Sequence, residues 1–155
     1  MKPKVVVTGP IRPVALELLR SKTEVRIWDS LEPVPVEWLK TNLADAEGLF
    51  LSGKIRLDDQ LLSYAPRLKV AAQASVGYDN VDVEACTRRG IPFGNTPGVL
   101  VDATADLAFA LVLCSMRRVT DGWDMVRRGA WKNLFEIPFG VDLAGKWLGI
   151  VGMGQ

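Results

Sequence analysis

Short apolar segments alternate with amphipathic segments over the first hundred residues. The apolar segments have the length and the β-branched or small residues of buried strands. The amphipathic segments place apolar residues at helical spacing, as Val14, Leu18 and Leu19 are placed in "RPVALELLRS". We therefore predict five strands, within residues 4–9, 23–28, 48–53, 68–75 and 91–95, and four helices, within residues 12–21, 36–46, 57–66 and 80–90.

The order of these elements predicts an α/β fold with a parallel, doubly wound sheet. Repeated strand–helix–strand units with short connections place the strands side by side and the helices over the faces of the sheet. Such sheets bind their ligands at the carboxyl ends of the strands. We expect a binding site there, formed by residues 8–10, 52–54, 73–78 and 94–97.

A different pattern begins after residue 97. The stretch over residues 102–118 is apolar without a break from Leu107 to Cys114, which predicts a helix covered on nearly all sides. The closing segment "WLGIVG", residues 147–152, is predicted to be a buried strand. The domain boundary is therefore expected near residues 97–101. This gives a first domain over residues 1–98 and a second over residues 99–155.

Composition narrows the classes of partner. Hydrophobic residues make up 48% of the chain and charged residues 24%, and the net charge is +1, so neither nucleic acid nor an anionic membrane is an expected partner. No apolar run is long enough to span a bilayer. Cys86 and Cys114 lack the spacing of a metal site, and we expect a reduced, cytoplasmic protein without a metal. The chain contains no histidine, the side chain most often used as a general acid or base.

Two predicted strand–helix loops carry candidate binding groups. Gly77 follows a strand in "QASVGYDNVD", where exposed backbone N–H groups would bind an anion such as a carboxylate. The alternative is an ordinary loop in which Asp79 or Asn80 caps the next helix. In "LFLSGK", Ser52 would donate a hydrogen bond to a ligand and Lys54 would add charge, or both residues simply belong to a turn.

Two further positions suggest a nucleotide cofactor. Gly152 and Gly154 follow an apolar segment in "GIVGMGQ", as the first two glycines of a G-x-G-x-x-G dinucleotide turn do. A tight turn without a ligand explains the same pair, and the third glycine would fall beyond Gln155. Thr104 lies near the start of the long helix, where it would contact a phosphate or ribose, or else bond to its own backbone.

Taken together, these segments resemble one enzyme family. "LKVAAQASVGYDNVDVEACTRRGIPFGNTPGVLVDATADLAFALVL" and "DLAGKWLGIVGMGQ" are similar to the D-isomer-specific 2-hydroxyacid dehydrogenases, and within them to the glyoxylate/hydroxypyruvate reductases. The resemblance implies a flavodoxin-like substrate-binding domain, followed by the first helix and strand of a Rossmann domain for NAD or NADP. It also implies hydride transfer between the nicotinamide and a small 2-oxo acid such as glyoxylate or hydroxypyruvate.

The resemblance further implies roles for individual residues. The backbone at Val76 and Gly77 would bind the substrate carboxylate. The helix over residues 102–118 would contribute to the interface of a homodimer, and Trp131 or Phe135 would approach the partner subunit's site. The remaining implied binding residues are Ser52, Gly53 and Ser75 for the substrate, and Thr104, Gly152 and Gly154 for the cofactor.

The resemblance does not extend to the catalytic residues of the family. The family's arginine, glutamate and histidine follow the glycine turn, so no catalytic residue is assigned in this chain. We expect the chain to be the N-terminal portion of a longer reductase and to be inactive alone. The alternative is a non-catalytic flavodoxin-like module that binds or dimerises. A phosphoacceptor receiver domain is disfavoured, because "TGP" and "LSG" stand where its acidic residues would be.

Overall fold

The computed structural model of the protein describes residues 2–52, 55–133, 135–136 and 139–154. Its internal contacts divide the chain into two units, Met1–Pro97 and Gly98–Gln155. The first unit contains the sheet, and the second, as far as it is described, contains two helices. No helix among the described residues combines the length and the apolar content needed to cross a membrane.

Five strands of the first unit form one parallel sheet. The order across the sheet is β2-β1-β3-β4-β5, and every pairing is parallel. This confirms the predicted doubly wound α/β architecture. The strands are β1 (Lys4–Val7), β2 (Glu24–Ile27), β3 (Gly48–Leu51), β4 (Val70–Gln73) and β5 (Phe93–Gly94).

Four helices connect these strands, as predicted. Helix α1 begins on a proline, whose fixed φ suits the first helical turn. Asp82 caps α4, because its side chain accepts a hydrogen bond from the Ala85 amide at 2.8 Å. The interpretation in which Asp79 or Asn80 caps this helix is therefore wrong. The helices are α1 (Pro13–Lys22), α2 (Val36–Leu43), α3 (Asp59–Ser63) and α4 (Val83–Arg88).

The core of the first unit lies between one face of the sheet and helices α2, α3 and α4. The strand register places Val6, Leu49 and Ala71 in one row across β1, β3 and β4, and all three side chains are buried. Leu39 and Leu43 of α2 belong to the same apolar cluster. Burying one large apolar side chain stabilises a fold by about 1.5–3 kcal/mol. A slip of one residue would turn this row outward, so the core also fixes the register.

The second unit is built on a long helix, α5 (Val101–Met116), which confirms the helix predicted over residues 102–118. None of its residues is buried, so the expectation that this helix is covered on nearly all sides is wrong for the single chain. A further helix, α6 (Val119–Arg127), is absent from the elements predicted from the sequence. Arg118 separates the two helices with a φ of 53°, a left-handed conformation in which the chain turns sharply.

A close contact joins the end of α5 to the chain that follows α6. The Val141 amide donates a hydrogen bond to the Met116 carbonyl at 2.7 Å. A Cβ atom on Gly140 would lie 2.6 Å from the same carbonyl oxygen, which is closer than any side chain tolerates. Glycine at position 140 therefore permits this approach.

The strand predicted over residues 147–152 is not formed. The described residues from 146 to 154 are irregular, and Trp147 and Val151 are fully exposed. A strand needs a neighbour that pairs with its backbone N–H and carbonyl groups. The described part of the second unit contains no other strand. An apolar sequence is therefore not sufficient to make a strand here.

Candidate functional site

The strand order reverses direction between β1 and β3, and a cleft lies between the loops that follow these two strands. β1 lies inside the sheet, with β2 on one side and β3 on the other, so the chain leaves it toward one edge and later returns toward the opposite edge. Doubly wound sheets bind ligands at the carboxyl ends of the strands around such a point. A cleft of about 540 Å³ lies here, and its lining includes Pro10, Glu32 and Ser52.

Hydrogen bonds between Thr8 and Ser52 join the end of β1 to the end of β3. Thr8 Oγ1 donates to the Ser52 carbonyl at 3.0 Å and accepts from the Ser52 amide at 2.9 Å. Ser52 Oγ in turn donates to the Pro10 carbonyl at 3.0 Å. A hydroxyl has only one hydrogen to donate. Ser52 was predicted to donate a hydrogen bond to the ligand. Because its hydroxyl hydrogen is already donated to Pro10, Ser52 Oγ could only accept a hydrogen bond from a ligand in this arrangement.

The second candidate loop follows β4, and side chains hold two of its carbonyl groups. The Val76 carbonyl accepts a hydrogen bond from Asn95 Nδ2 at 2.8 Å. The Gly77 carbonyl accepts from Gln73 Nε2 at 2.5 Å and from Ser75 Oγ at 2.7 Å. The carbonyl oxygens of Val76 and Gly77 are therefore occupied by donors of the protein itself.

The amide groups of the same loop are available. Among the described residues, no acceptor bonds to the N–H of Val76 or of Gly77, and both residues are exposed. A Cβ atom on Gly77 would meet only Asp79 Oδ2, at 3.6 Å, and the φ of Gly77 lies outside the left-handed region. The loop thus has two adjacent N–H groups and open space beside them. A backbone N–H group that lacks a protein acceptor can donate a hydrogen bond to an anion.

Asn80 connects the two candidate loops. Its Nδ2 atom donates to the Ile55 carbonyl at 2.9 Å and to Gln73 Oε1 at 3.2 Å. Gln73 is only 6% exposed, and buried amide side chains are almost always hydrogen-bonded. Because Gln73 also donates to Gly77, one chain of hydrogen bonds runs from the segment after β3 to the loop after β4.

The structure brings the predicted substrate residues to one edge of the sheet in the first unit. Ser52 follows β3, while Ser75, Val76 and Gly77 follow β4, and these two strands are neighbours. Gly53, predicted for the same group, lies outside the described residues. The residues predicted for the cofactor all lie in the second unit.

The described cofactor residues do not form a nucleotide cradle. Thr104 is exposed near the start of α5. Gly152 has a φ of +85°, which suits a tight glycine turn, but a Cβ atom on Gly152 or Gly154 would meet open space. A dinucleotide turn joins a strand to a helix, and the described residues around these glycines form neither. The residues present here therefore do not by themselves fit a bound NAD or NADP.

The sequence placed the polar side chains that shape the loops at this edge of the sheet, but it predicted no role for them. Thr8, Gln73 and Asn95 each follow or end a strand and bond to a loop backbone. The sequence contains a signal for Thr8 and Gln73, which end the apolar runs "VVVT" and "VAAQ". When such a run is buried, the polar residue at its end needs a hydrogen-bond partner. The partners, however, come from other strands or loops, which the periodicity of the sequence does not identify.

The chain matches a known family over most of its length. The family model for the D-isomer specific 2-hydroxyacid dehydrogenase catalytic domain matches residues 5–140. A glyoxylate reductase of Aeropyrum pernix is 45% identical over 159 residues, which cover 99% of this chain and 48% of that protein. A glyoxylate reductase of Pyrococcus horikoshii is 41% identical over 160 residues, which cover 100% of this chain and 48% of that protein.

Solved structures share the fold. A protein from Thermus thermophilus aligns with a TM-score of 0.81 at 41% identity, over 92% of this chain and 46% of that chain. An NADPH-dependent glyoxylate/hydroxypyruvate reductase from Sinorhizobium meliloti, in complex with NADP and malonate, aligns with a TM-score of 0.75 at 30% identity, over 94% and 44% of the two chains. The chain spans about half the length of these relatives. With the family model matched from residue 5 to residue 140, the chain belongs to the D-isomer-specific 2-hydroxyacid dehydrogenase family.

Proposed function

We propose that this chain supplies the substrate-binding part of an NAD(P)H-dependent reductase of small 2-oxo acids. The relatives described above are glyoxylate reductases and a glyoxylate/hydroxypyruvate reductase that holds NADP and malonate, which makes glyoxylate and hydroxypyruvate the proposed substrates. In the overall reaction, a hydride from the reduced nicotinamide is added to the 2-carbon and a proton to its oxygen. The product is the 2-hydroxy acid.

The available amides of Val76 and Gly77 carry this proposal. A carboxylate only accepts hydrogen bonds, so a pair of neighbouring N–H groups without protein acceptors is complementary to it. Each hydrogen bond to a charged group contributes about 1.5–3 kcal/mol. Two such bonds would hold the acid by its carboxylate and leave its 2-carbon free to react. Ser52, Gly53 and Ser75 are proposed to form the surroundings of this carboxylate site.

The two units take different roles in the proposal. The first domain, residues 1–98, binds the substrate, and the second, residues 99–155, begins the part that binds the cofactor. Thr104, Gly152 and Gly154 belong to the proposed cofactor part. The chain has no imidazole to protonate the product oxygen. We therefore propose that the chain alone does not turn over substrate.

We also propose that α5 forms the interface of a homodimer. Leu107, Phe109 and Leu111 are exposed by 60%, 63% and 60% in the single chain. Apolar surface left in water forgoes about 25 cal/mol per Å² of possible stabilisation, and two-fold pairing would cover the patch on both copies at once.

Both cysteines, Cys86 and Cys114, are free, which supports the cytoplasmic location that we propose for the protein.

The test compares the chain with a chimera. Residues 1–155 are purified alone and, separately, joined to the part of the Aeropyrum pernix glyoxylate reductase that lies beyond the matched region. Oxidation of NADH and NADPH is followed with glyoxylate and with hydroxypyruvate. We expect turnover by the chimera and none by the chain alone.

Two results would contradict the proposal. A folded chimera that binds NADPH but reduces neither acid would favour the non-catalytic binding or dimerisation module instead. Turnover by the chain alone, at the rate of the chimera, would contradict the proposed inactivity of the isolated chain.

A further inference from the structure

We propose that Asn95 is a positioning residue, which orients the Gly77 N–H toward the substrate carboxylate by holding the Val76 carbonyl. The inference rests on the proposed function, because it assigns a partner to the carboxylate site of that function. Asn95 falls in the segment 94–97 that was expected at this edge of the sheet, but no binding role was predicted for it from the sequence. It acts through the backbone and need not touch the substrate.

The planarity of the peptide bond carries the first step. The Val76 carbonyl and the Gly77 N–H belong to one peptide unit, and no cis peptide bond is found among the described residues. In a trans peptide unit the C=O and N–H bonds point in opposite directions. Asn95 Nδ2 donates to the Val76 carbonyl at 2.8 Å, so the Gly77 N–H points away from Asn95.

The next peptide unit is held in the same manner. The Gly77 carbonyl accepts hydrogen bonds from Gln73 Nε2 at 2.5 Å and from Ser75 Oγ at 2.7 Å. The Tyr78 N–H of that unit consequently points away from both donors. Three side-chain donors thus fix two successive peptide units, and Asn95 alone among them, in the described part of the chain, holds the unit that contains the Gly77 N–H.

Asn95 is itself firmly placed by the sheet. It follows β5, which pairs in parallel with β4. The adjacent Thr96 amide donates to the Ser75 carbonyl at 2.9 Å, so the segment after β5 is bonded to the segment after β4 on either side of Asn95. The donor therefore comes from a neighbouring strand end and does not move freely with the loop that it holds.

Glycine makes such a donor necessary. A peptide unit flips when the ψ of the residue before it and the φ of the residue after it rotate in opposite senses. Glycine adopts positive and negative φ with similar ease, so Gly77 resists a flip less than any other residue would. A flipped unit would present the Val76 carbonyl oxygen, instead of the N–H, to the incoming carboxylate. The hydrogen bond from Asn95 opposes that flip.

The kinetic test uses the chimera described above, with Asn95→Ala and Asn95→Asp. The first removes the donor without adding charge, and the second preserves the shape of the side chain if alanine proves too disruptive to the fold. We expect the KM for glyoxylate to rise about tenfold, the effect of losing one charge-assisted hydrogen bond. We expect the kcat and the KM for NADPH to change less than about twofold, roughly the limit of the measurement.

Asn42→Asp is the matched control. Asn42 also donates its side-chain amide to a backbone carbonyl, that of Trp38 in α2 at 2.8 Å. Replacing it removes an equivalent hydrogen bond away from the loop after β4. An equal change in KM for the Asn42 and Asn95 variants would show a general loss of stability and would overturn the inference.

A second readout separates this inference from the proposed function. In the chain labelled with ¹⁵N-glycine, the Gly77 amide signal is followed while sodium glyoxylate is added. We expect a saturable shift in the unsubstituted chain and in Asn42→Asp, and a much weaker one in both Asn95 variants. If the chimera proves inactive while this pattern holds, the proposed function fails and the role of Asn95 stands. If Gly77 does not respond in the unsubstituted chain, or responds equally in the Asn95 variants, the inference is overturned.

Discussion

Thr8 and Ser52 are joined by two hydrogen bonds, one donated in each direction, at the carboxyl ends of β1 and β3. Thr8 is 3% exposed, whereas Ser52 borders the cleft at the same edge of the sheet. A buried hydroxyl thus binds both backbone groups of a residue beside the proposed site. The same two hydrogen bonds therefore tie a buried side chain to the backbone of Ser52 and fix the position of Ser52 at the cleft.

Replacing Thr8 with valine preserves the branched shape and removes both hydrogen bonds. We expect Thr8→Val to lower the free energy of unfolding by about 2 kcal/mol, because both backbone groups of Ser52 lose the partner that they have here. Thr8→Ser keeps the hydroxyl and should cost less. Urea unfolding measures the change, with Thr41→Val at an exposed position of α2 as the control. Equal stabilities of the two valine variants would show that the bonds to Ser52 contribute nothing.

Replacing Gly77 with alanine or valine should affect the substrate and spare the fold. An added Cβ meets only Asp79 Oδ2 at an ordinary contact distance, and the φ of Gly77 suits any residue. We expect thermal stability to change little and the KM of the chimera for glyoxylate to rise, about tenfold or more for Gly77→Val, because the side chain occupies the space beside the amides. The KM for NADPH serves as the internal control. An unchanged KM for glyoxylate would remove this loop from the site.

Acid should weaken the fold through Asp45. Hydrogen bonds from two side chains lower the pKa of Asp45 to about 2, and the bond from Lys4 has a larger effect than the bond from Arg26. Because this pKa is lowered on folding, the carboxylate stabilises the fold above the ordinary value of about 4, and this contribution is lost as the pH falls through about 2. We expect Asp45→Asn to lower the melting temperature at neutral pH and to flatten its decline between about pH 4 and pH 2. Thermal melts across this range measure both effects.

The exposed Asp29 provides the control for that experiment. Asp29→Asn should leave the decline of the melting temperature over the same acid range as steep as in the unsubstituted chain. If Asp45→Asn gives the same steep decline, the ion pairs of Asp45 with Lys4 and Arg26 do not contribute to acid sensitivity.

Self-association of the chain should depend on α5. We expect the unsubstituted chain to dimerise as its concentration rises, and Leu111→Asp to shift this equilibrium strongly toward the monomer, since a buried unpaired charge is costly. Light scattering over a dilution series measures the mass. Leu31→Asp, at a position of the first unit that is 95% exposed, is the control and should dimerise normally. A folded chain that stays monomeric at high concentration, with or without the substitution, would contradict the proposed interface.

The fold of the first unit could be predicted because its signals are local. Strands such as β1 and β3 are short apolar runs between turn residues, and α1 and α2 show helical spacing of their apolar residues. Helix α6 was missed because Gly122 lies inside it, and glycine is a poor helix former. The segment over residues 147–152 has the composition of a strand, but pairing depends on a neighbour, which composition cannot report.

The site could be predicted only in outline for a related reason. A glycine after a buried strand indicates a loop at the carboxyl edge, which is where Gly77 lies. The orientation of its amide depends on Asn95, which is far along the chain and has no regular spacing from Gly77. Hydrogen bonds between loops are set by the assembled sheet, so they become visible only when the strand order is known.

The contact between Met116 and Val141 closes the chain between them into a loop. The chain continues from Met116, at the end of α5, and returns to it, because the Val141 amide donates a hydrogen bond to the Met116 carbonyl. Gly140 allows the two backbones to touch. Because both ends of the stretch meet at one point, its length can change without redirecting the chain before or after it, and the entropy of closing a loop grows only slowly with length. A change in the number of residues between Met116 and Gly140 should therefore cost little stability, provided that the glycine at its base is kept.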